Sequence, residues 1–229
     1  ATAALMNGGK LIPPTFLRRT KEEADAMAKQ AAPTNQWYSA LVFSKEPEVL
    51  YAQPLTVKAT TDGLEMAYPS QTANLHHEVE LVVALAQGSD GVVPVAQALS
   101  LVYGYGVGLD LTRRDLQAQA KEKRLPWDVS KGFDHSAPAS AIVPVAGRAH
   151  PADARLWLEI NGELRQQAPL SDMVFSVAEI IHELSKLFAL KPGDLIFMGT
   201  PSGVSALKPG DAFRAGVDGL VEFSGRIVG

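Results

Sequence analysis

Residues 73–86 read Ala-Asn-Leu-His-His-Glu-Val-Glu-Leu-Val-Val-Ala-Leu-Ala, an apolar run that carries two carboxylates. The run predicts a β-strand, because side chains alternate between the two faces of a strand. Glu78 and Glu80 then share one face, opposite Val79 and Leu81. Two carboxylates in a half-buried sheet repel each other and lose hydration, and a hard divalent cation relieves both effects. For an isolated Glu-x-Glu, a solvent-facing polar stripe is the commoner explanation.

Asp110 is a third candidate metal ligand. It ends a second apolar strand, predicted over 102–109, and precedes Leu-Thr-Arg-Arg-Asp-Leu-Gln at 111–117. A carboxylate at the point where a strand becomes a loop is well placed to meet ligands on a neighbouring strand. The alternative is that Asp110 is only a helix N-cap. Asp110 strengthens the case for a metal site with Glu78 and Glu80, and both plainer explanations remain open.

Two further segments are candidates for binding an anionic ligand. Lys131 lies in Pro-Trp-Asp-Val-Ser-Lys-Gly-Phe-Asp at 126–134, among aromatic residues and glycine. Gly-Thr-Pro-Ser-Gly at 199–203 follows an apolar strand and is typical of a loop that binds an anion through backbone N–H groups and a hydroxyl. Each has a plainer explanation, a solvated lysine and an ordinary turn.

Short strands outnumber helices along the chain. Besides 73–86, strands are predicted at 36–43, 51–59, 102–111 and 195–198, and a hairpin at 155–167 around Asn161-Gly162. Helices are predicted at 20–30, 93–101, 112–124 and 177–188, the last with a clear apolar stripe. This order predicts an α+β, mainly β fold with a barrel-like core.

The composition excludes several classes of protein. The 229 residues include no cysteine, which rules out a disulfide framework, a thiolate nucleophile and a cysteine-based zinc site. The formal net charge of −4 does not suggest a nucleic-acid partner. No apolar run reaches the ~20 residues that cross a bilayer, and the first residues do not resemble a signal peptide. We expect a cytoplasmic enzyme without a membrane partner, although composition leaves the compartment open.

Taken in order, these motifs resemble the fumarylacetoacetate hydrolase superfamily across residues 67–229. The resemblance rests on residues 68–81, 108–117, 126–134, 161–163, 171–173 and 199–203. The sequence Leu-His-His-Glu-Val-Glu-Leu-Val-Val, with Pro-Trp-Asp and Phe-Asp-His-Ser-Ala-Pro, is most similar to the fumarylpyruvate hydrolase and acylpyruvase branch.

The resemblance implies a fold, a cofactor and a reaction. The fold would be a mixed β-sandwich roll with a few short helices, and the protein a homodimer. Mg²⁺ or Mn²⁺ would bind at the three carboxylates, and the reaction would be hydrolytic C–C cleavage of a 2,4-dioxo acid through a metal-chelated pyruvate enolate. The other implied roles fall on Lys131 as a catalytic residue, and on Arg114, Gln117, Gly199 and Thr200 as substrate-binding residues.

The histidine that the family uses to activate water is missing from the N-terminal part. The five histidines are His76, His77, His135, His150 and His182. His76 and His77 are candidate substitute bases. By the strand period His76 shares the face of Glu78 and Glu80 and His77 does not, and a buried structural imidazole is the commoner explanation for both. Oxaloacetate decarboxylation or 2-hydroxydienoate isomerisation on the same site is therefore a second hypothesis, since both reactions need less of the missing apparatus.

The first third of the chain differs from the rest. Residues 33–69 are weakly similar to the N-terminal region of a family of endo-β-1,3-glucanases. We therefore predict an N-terminal segment of uncertain origin at 1–66, a small lobe or lid, followed by a metal-binding catalytic domain at 67–229. A non-catalytic, carbohydrate-binding hybrid is the third hypothesis.

Overall fold

The computed structural model describes residues 63–229 in full and, before them, the backbone of three strands. These early strands are β1 (Thr2–Leu5), β2 (Gln36–Val42) and β3 (Gln53–Thr56). The helix predicted at 20–30 lies outside the described residues. In the described part of the chain, no helix has the length and apolar character needed to cross a bilayer.

Twelve further strands and four α-helices follow in the described chain. The strands are β4 (Leu64–Ala67), β5 (Leu75–His76), β6 (Val79–Leu85), β7 (Val102–Leu109), β8 (Thr112–Arg113), β9 (Val143–Pro144), β10 (Arg155–Ile160), β11 (Glu163–Pro169), β12 (Leu195–Phe197), β13 (Ala206–Leu207), β14 (Ala212–Val217) and β15 (Val221–Val228). The helices are α1 (Val95–Ala98), α2 (Arg114–Glu122), α3 (Asp128–Lys131) and α4 (Val177–Ser185), with 3₁₀ turns at Leu99–Leu101 and Leu170–Asp172.

The strands form three sheets. A seven-stranded sheet has the order β3-β2-β1-β12-β6-β7-β9, a five-stranded sheet the order β11-β10-β14-β15-β4, and a three-stranded sheet the order β13-β5-β8. Among the strands that the structure describes, all pairings are antiparallel except that of β15 with β4, which is parallel. The predicted α+β, mainly β class is confirmed. The early strands β1 and β2 belong to the same sheet as β6 and β7.

Strand β6 is apolar on both faces because it separates two apolar clusters. Leu81 and Val83 face the main core between the two larger sheets, where β10 contributes Leu158. Val82 and Ala84 face a smaller cluster on the other side of the seven-stranded sheet. A strand covered on both faces is held firmly, so the side chains at its start have fixed positions.

The segment predicted as one strand at 73–86 is two strands in two different sheets. β5 pairs with β8 and β13, whereas β6 pairs with β7 and β12. The chain leaves the ladder at His77 and Glu78, so a single strand period does not relate His76 to Glu80. The prediction of one continuous strand was wrong here because hydrophobic periodicity carries no information about which sheet a strand joins.

Close packing fixes the end of β7. A Cβ on Gly108 would lie 2.6 Å from the ring of Phe197 on β12, so this position needs a residue without a side chain. Glu80 on β6 pairs with Gly108, two residues before Asp110. The packing of glycine against an aromatic ring thus positions the candidate ligands.

Candidate metal centre

Three buried carboxylates meet where β6 begins and β7 ends. Each of Glu78, Glu80 and Asp110 offers an oxygen that lies within 4.8 Å of those of the other two. The backbone N–H of Asp110 donates to the carbonyl oxygen of Glu78 at 2.8 Å, which ties the end of one strand to the start of the other. The structure therefore brings together the three residues that the sequence singled out as metal ligands.

Two oxygens of this cluster have no hydrogen-bond partner among the described residues. They are Oε1 of Glu80 and Oδ1 of Asp110, and both are buried. A buried acceptor without a partner carries a desolvation penalty, which a cation removes. Three carboxylates are the donor set that hard divalent cations such as Mg²⁺ and Mn²⁺ prefer. The residues present fit such a cation.

Two cations partly balance the charge of the cluster. The Nζ of Lys131 donates to Oε2 of Glu78 at 2.8 Å and to Oδ2 of Asp110 at 2.5 Å. A guanidinium nitrogen of Arg114 donates to Oε1 of Glu78 at 2.6 Å. When all three carboxylates are ionised, as metal binding requires, they face these two cations. The cluster keeps one formal negative charge, and a divalent cation would make it positive and attractive to an anionic ligand.

The carboxylates differ in their tendency to ionise. Burial, together with the neighbouring charges of Asp110 and Glu78, raises the pKa of Glu80 well above its usual value. Burial also raises the pKa of Asp110, to about 6, although Lys131 acts in the opposite direction. For Glu78, burial is outweighed by Lys131 and Arg114, and its pKa is lowered. Metal binding must therefore displace protons from Glu80 and Asp110 at mildly acid pH.

Lys131 stays charged in this setting. Burial alone would lower its pKa, but the adjacent carboxylates of Asp110 and Glu78 outweigh burial and raise it. The side chain is only 2% exposed, so its charge is not screened by solvent and acts on the groups of the site.

The predicted substrate residues lie around the carboxylates. Arg114 also donates to Oε1 of Gln117 at 2.6 Å, so the Gln117 amide oxygen is used to hold the guanidinium. The backbone N–H of Gly199 donates to Oε2 of Glu80 at 2.7 Å and is thus bound to a candidate metal ligand. Thr200 is the next residue, and its hydroxyl is connected to the cluster through Gln166.

The two adjacent histidines have different surroundings. His77 is fully buried, and its ring nitrogens contact Oε1 of Gln166 at 2.7 Å and the hydroxyl of Ser205 at 2.8 Å. The Nε2 of His76 contacts Oδ1 of Asn74 at 2.9 Å, and its Nδ1 is buried without a hydrogen-bond partner among the described residues. Burial, followed by the charge of Arg114, lowers the pKa of His76, which keeps the imidazole neutral.

A separate cavity lies behind the loop that carries Thr200. Its volume is about 380 Å³, and its wall includes residues 199–202 of that loop. The rest of its wall is mostly apolar and includes Leu81, Leu170, Met173, Ile180 and Met198. The loop therefore has the carboxylate cluster on one side and an apolar space on the other.

Gln166 and Ser205 are parts of the site that sequence reasoning missed. Gln166 is 1% exposed and contacts both His77 and Thr200. Its neighbours Arg165 and Gln167 are also polar, so no local pattern distinguishes it. Only the pairing of β11 with β10 shows that position 166 faces inward.

Comparison with known proteins identifies relatives over most of the chain. The family model described as fumarylacetoacetate (FAA) hydrolase C-terminal matches residues 17–228. A mitochondrial oxaloacetate tautomerase of Rattus norvegicus is 46% identical over 173 residues, 76% of this chain and 77% of that protein. A fumarylpyruvate hydrolase of a Ralstonia species is 41% identical over 186 residues, 81% of this chain and 91% of that protein.

A crystal structure shares the fold. It is the fumarylpyruvate hydrolase from Pseudomonas aeruginosa in complex with Mn²⁺ and pyruvate, with a TM-score of 0.76 and 43% identity over 80% of each chain. This similarity confirms the fold that the motifs implied, and that relative holds a cation of the predicted kind. The family match includes residues 33–69 and gives no support to a glucanase origin of that segment.

Proposed function

The chain belongs to the fumarylacetoacetate hydrolase family of enzymes, and from this premise we propose that it hydrolyses a carbon–carbon bond of a 2,4-dioxo acid. The substrate class is fumarylpyruvate or another acylpyruvate, in line with the relatives from Ralstonia and Pseudomonas aeruginosa. The observation that carries the proposal is the buried carboxylate cluster beside a charged lysine, with two oxygens that no described residue hydrogen-bonds.

Glu78, Glu80 and Asp110 would hold Mg²⁺ or Mn²⁺. When bound, the cation supplies positive charge that stabilises negative charge on substrate oxygens. The site as described has three carboxylates and two basic side chains, so a divalent cation is needed to make it attractive to an anionic oxo acid.

The remaining proposed roles follow from what each side chain can donate or accept. Lys131 donates a hydrogen bond to a substrate oxygen, because its charge is permanent and lies beside the carboxylates. Arg114, held by Gln117, orients a second oxygen, and the hydroxyl of Thr200 donates to the substrate carboxylate. These groups fix the oxo acid in one orientation, which lowers the entropic part of the barrier.

His76 is the proposed base. Its Nδ1 has no hydrogen-bond partner in the part of the chain that the structure describes, and the imidazole is neutral, as a proton acceptor requires. It would take a proton from the water that adds to the distal carbonyl carbon. The bond from that carbon to the methylene then breaks, its electron pair stays with the pyruvate part, and a proton returned to the methylene carbon completes pyruvate and a carboxylic acid.

Interconversion of the keto and enol forms of oxaloacetate is a second candidate. It is favoured by the 46% identity to the oxaloacetate tautomerase of Rattus norvegicus and by the absence of histidine before residue 76. Tautomerisation moves protons and requires no activated water. Oxaloacetate decarboxylation and 2-hydroxydienoate isomerisation at the same site also require no activated water, so both remain candidates.

One set of assays separates these candidates. Chelator-treated protein is given Mg²⁺ or Mn²⁺, and the loss of acylpyruvate absorbance is compared with the loss of enol oxaloacetate absorbance. We expect metal-dependent acylpyruvate cleavage that Glu80→Gln abolishes. Oxaloacetate turnover without acylpyruvate cleavage would select the second candidate, and no turnover of either with either metal would refute both.

We also propose a homodimer located in the cytoplasm, with residues 1–66 as a lobe or lid beside the catalytic part at 67–229. The early strands β1 and β2 belong to the same sheet as β6, with β12 between β1 and β6. Light scattering of the metal-loaded protein measures the oligomeric state, and a monomeric mass would refute the dimer.

A further inference from the structure

Gln166 on β11 makes hydrogen bonds with all parts of its buried amide. Its Oε1 accepts from the backbone N–H of Val79 at 3.1 Å and contacts Nδ1 of His77 at 2.7 Å. Its Nε2 donates to the hydroxyl oxygen of Thr200 at 2.8 Å and to the carbonyl oxygen of Pro201 at 2.9 Å. One side chain thus joins the strand of the carboxylates to the loop of the proposed substrate contact.

The surroundings permit one orientation of this amide. A backbone N–H can only donate and a carbonyl oxygen can only accept, so Oε1 must face Val79 and Nε2 must face Pro201. Nδ1 of His77 must then carry the hydrogen that it donates to Oε1. The hydroxyl oxygen of Thr200 must accept from Gln166, which leaves the Thr200 hydrogen free to donate elsewhere.

The loop lies directly on β11, so the amide has little room to move. Gly203 has a φ of +101°, and a Cβ there would be 2.1 Å from the carbonyl oxygen of Arg165. Further along the loop, the hydroxyl of Ser205 contacts Nε2 of His77 at 2.8 Å. The loop is therefore attached to the segment that begins β6 at two points, to Val79 through Gln166 and to His77 through Ser205.

We propose that Gln166 is a positioning residue for the substrate carboxylate. It acts through Thr200. Because Gln166 donates to the hydroxyl oxygen of Thr200, the hydroxyl hydrogen points toward the ligand. It also holds Val79, and hence Glu78 and Glu80, at a fixed place relative to the loop. This role rests on the proposed function, because it requires that an oxo acid binds at Thr200.

The test uses variants that remove different hydrogen bonds of Gln166. Gln166→Glu keeps an acceptor for Val79 and His77 but supplies no donor for Thr200, whereas Gln166→Met removes both. Thr200→Val removes the proposed substrate contact. Gln167→Met, at the exposed neighbouring position, is the matched control. Each variant is measured for Mn²⁺ affinity, for pyruvate affinity in the Mn²⁺-loaded state, and for kcat and KM with an acylpyruvate.

We expect Gln166→Glu to weaken pyruvate binding and raise KM about tenfold, the effect of one hydrogen bond to a charged group, with Mn²⁺ affinity and kcat much less changed. Combined with Thr200→Val, it should cause no further loss, because both substitutions remove the same contact. Gln166→Met should give the same rise in KM and, because it also removes the acceptor of the Val79 N–H, a lower Mn²⁺ affinity. The control Gln167→Met should match the wild type.

Additive effects of the two substitutions, or a fall in kcat with unchanged KM, would show that Gln166 has only a structural role. Wild-type protein that binds pyruvate and turns over substrate, with Gln166→Glu indistinguishable from it, would overturn this inference alone. Wild-type protein that neither binds pyruvate nor turns over any oxo acid would overturn the proposed function, and the role of Gln166 with it.

Discussion

Replacement of Lys131 by methionine tests the electrostatics of the carboxylate cluster. The side chain is 2% exposed and contacts Glu78 and Asp110, which are also buried. Methionine has a similar length but no charge, so the variant leaves Glu78 with Arg114 alone and Asp110 without a cation among the described residues. Removal of one partner from a buried ion pair costs about 3–5 kcal/mol. For a chain of this size that loss lowers the melting temperature by about 6–20 °C.

A divalent cation should compensate for most of this loss. It supplies positive charge at the same carboxylates, and a ligand that binds only the folded state stabilises it by RT ln(1 + [L]/Kd). The assay is thermal and urea unfolding of wild type and Lys131→Met, each in chelator and in saturating Mn²⁺. We expect a large deficit in chelator and a clearly smaller one in Mn²⁺.

The control is Lys186→Met at the C-cap of α4. Lys186 also contacts a carboxylate, Oε1 of Glu183 at 2.6 Å, but both side chains are about 40% exposed, at 41% and 39%. Such pairs contribute about 0–1 kcal/mol, so this variant should unfold almost like wild type with and without metal. If Lys131→Met has the same stability as wild type in chelator, or a deficit that Mn²⁺ leaves unchanged, the electrostatic description of the cluster is refuted.

Three further predictions address other parts of the structure. Because the pKa of Asp110 is raised from 3.8 to about 6, the folded metal-free protein holds more protons than the unfolded chain in this window. Between pH 4 and 6, the free energy of unfolding of the wild type in chelator should therefore fall by roughly 2 kcal/mol more than that of Asp110→Asn. If urea unfolding gives the two proteins the same pH dependence, this expectation is wrong. Gly203→Ala should destabilise the folded protein by about 1–3 kcal/mol and raise KM, because the new Cβ meets the carbonyl oxygen of Arg165. If the urea midpoint and KM are both unchanged, this contact does not exist. Tyr105→Phe loses the 2.6 Å contact of the hydroxyl with Nδ1 of His150 and should lower the free energy of unfolding by about 0.5–1.5 kcal/mol. It should leave Mn²⁺ affinity unchanged, and a loss of metal binding would contradict this prediction.

The carboxylate cluster could be predicted from the sequence because its residues lie at positions that the sequence pattern marks. Glu80 is a charged residue within an apolar strand, and Asp110 follows the last residue of another. Both features depend only on local periodicity. The helix at 177–185 and the hairpin around Asn161-Gly162 were predictable for the same reason, and their positions agree with α4 and with β10 and β11.

Features that depend on the pairing of distant strands were not predictable in this way. The break between β5 and β6 separates His76 from the strand that carries Glu80, and nothing in the periodicity marks it. The inward position of Gln166 follows from the register of β11 with β10, since the neighbouring residues are equally polar. The engagement of the Gly199 N–H with Glu80 likewise requires the three-dimensional arrangement of β12 and β6. The roles assigned to these residues in catalysis stay predictions.

The contacts of the site differ greatly in how far apart their residues lie along the chain, and this has a consequence for folding. Lys131 is 21 residues from Asp110, whereas His77 is 89 residues from Gln166 and 128 from Ser205. Closing a longer loop costs more entropy, and contacts between distant residues generally form more slowly. The lysine and the carboxylates are therefore expected to meet before the Gln166 network forms. A cation present during refolding would then bind before the substrate loop has docked, so that the protein gains affinity for metal earlier than affinity for oxo acids.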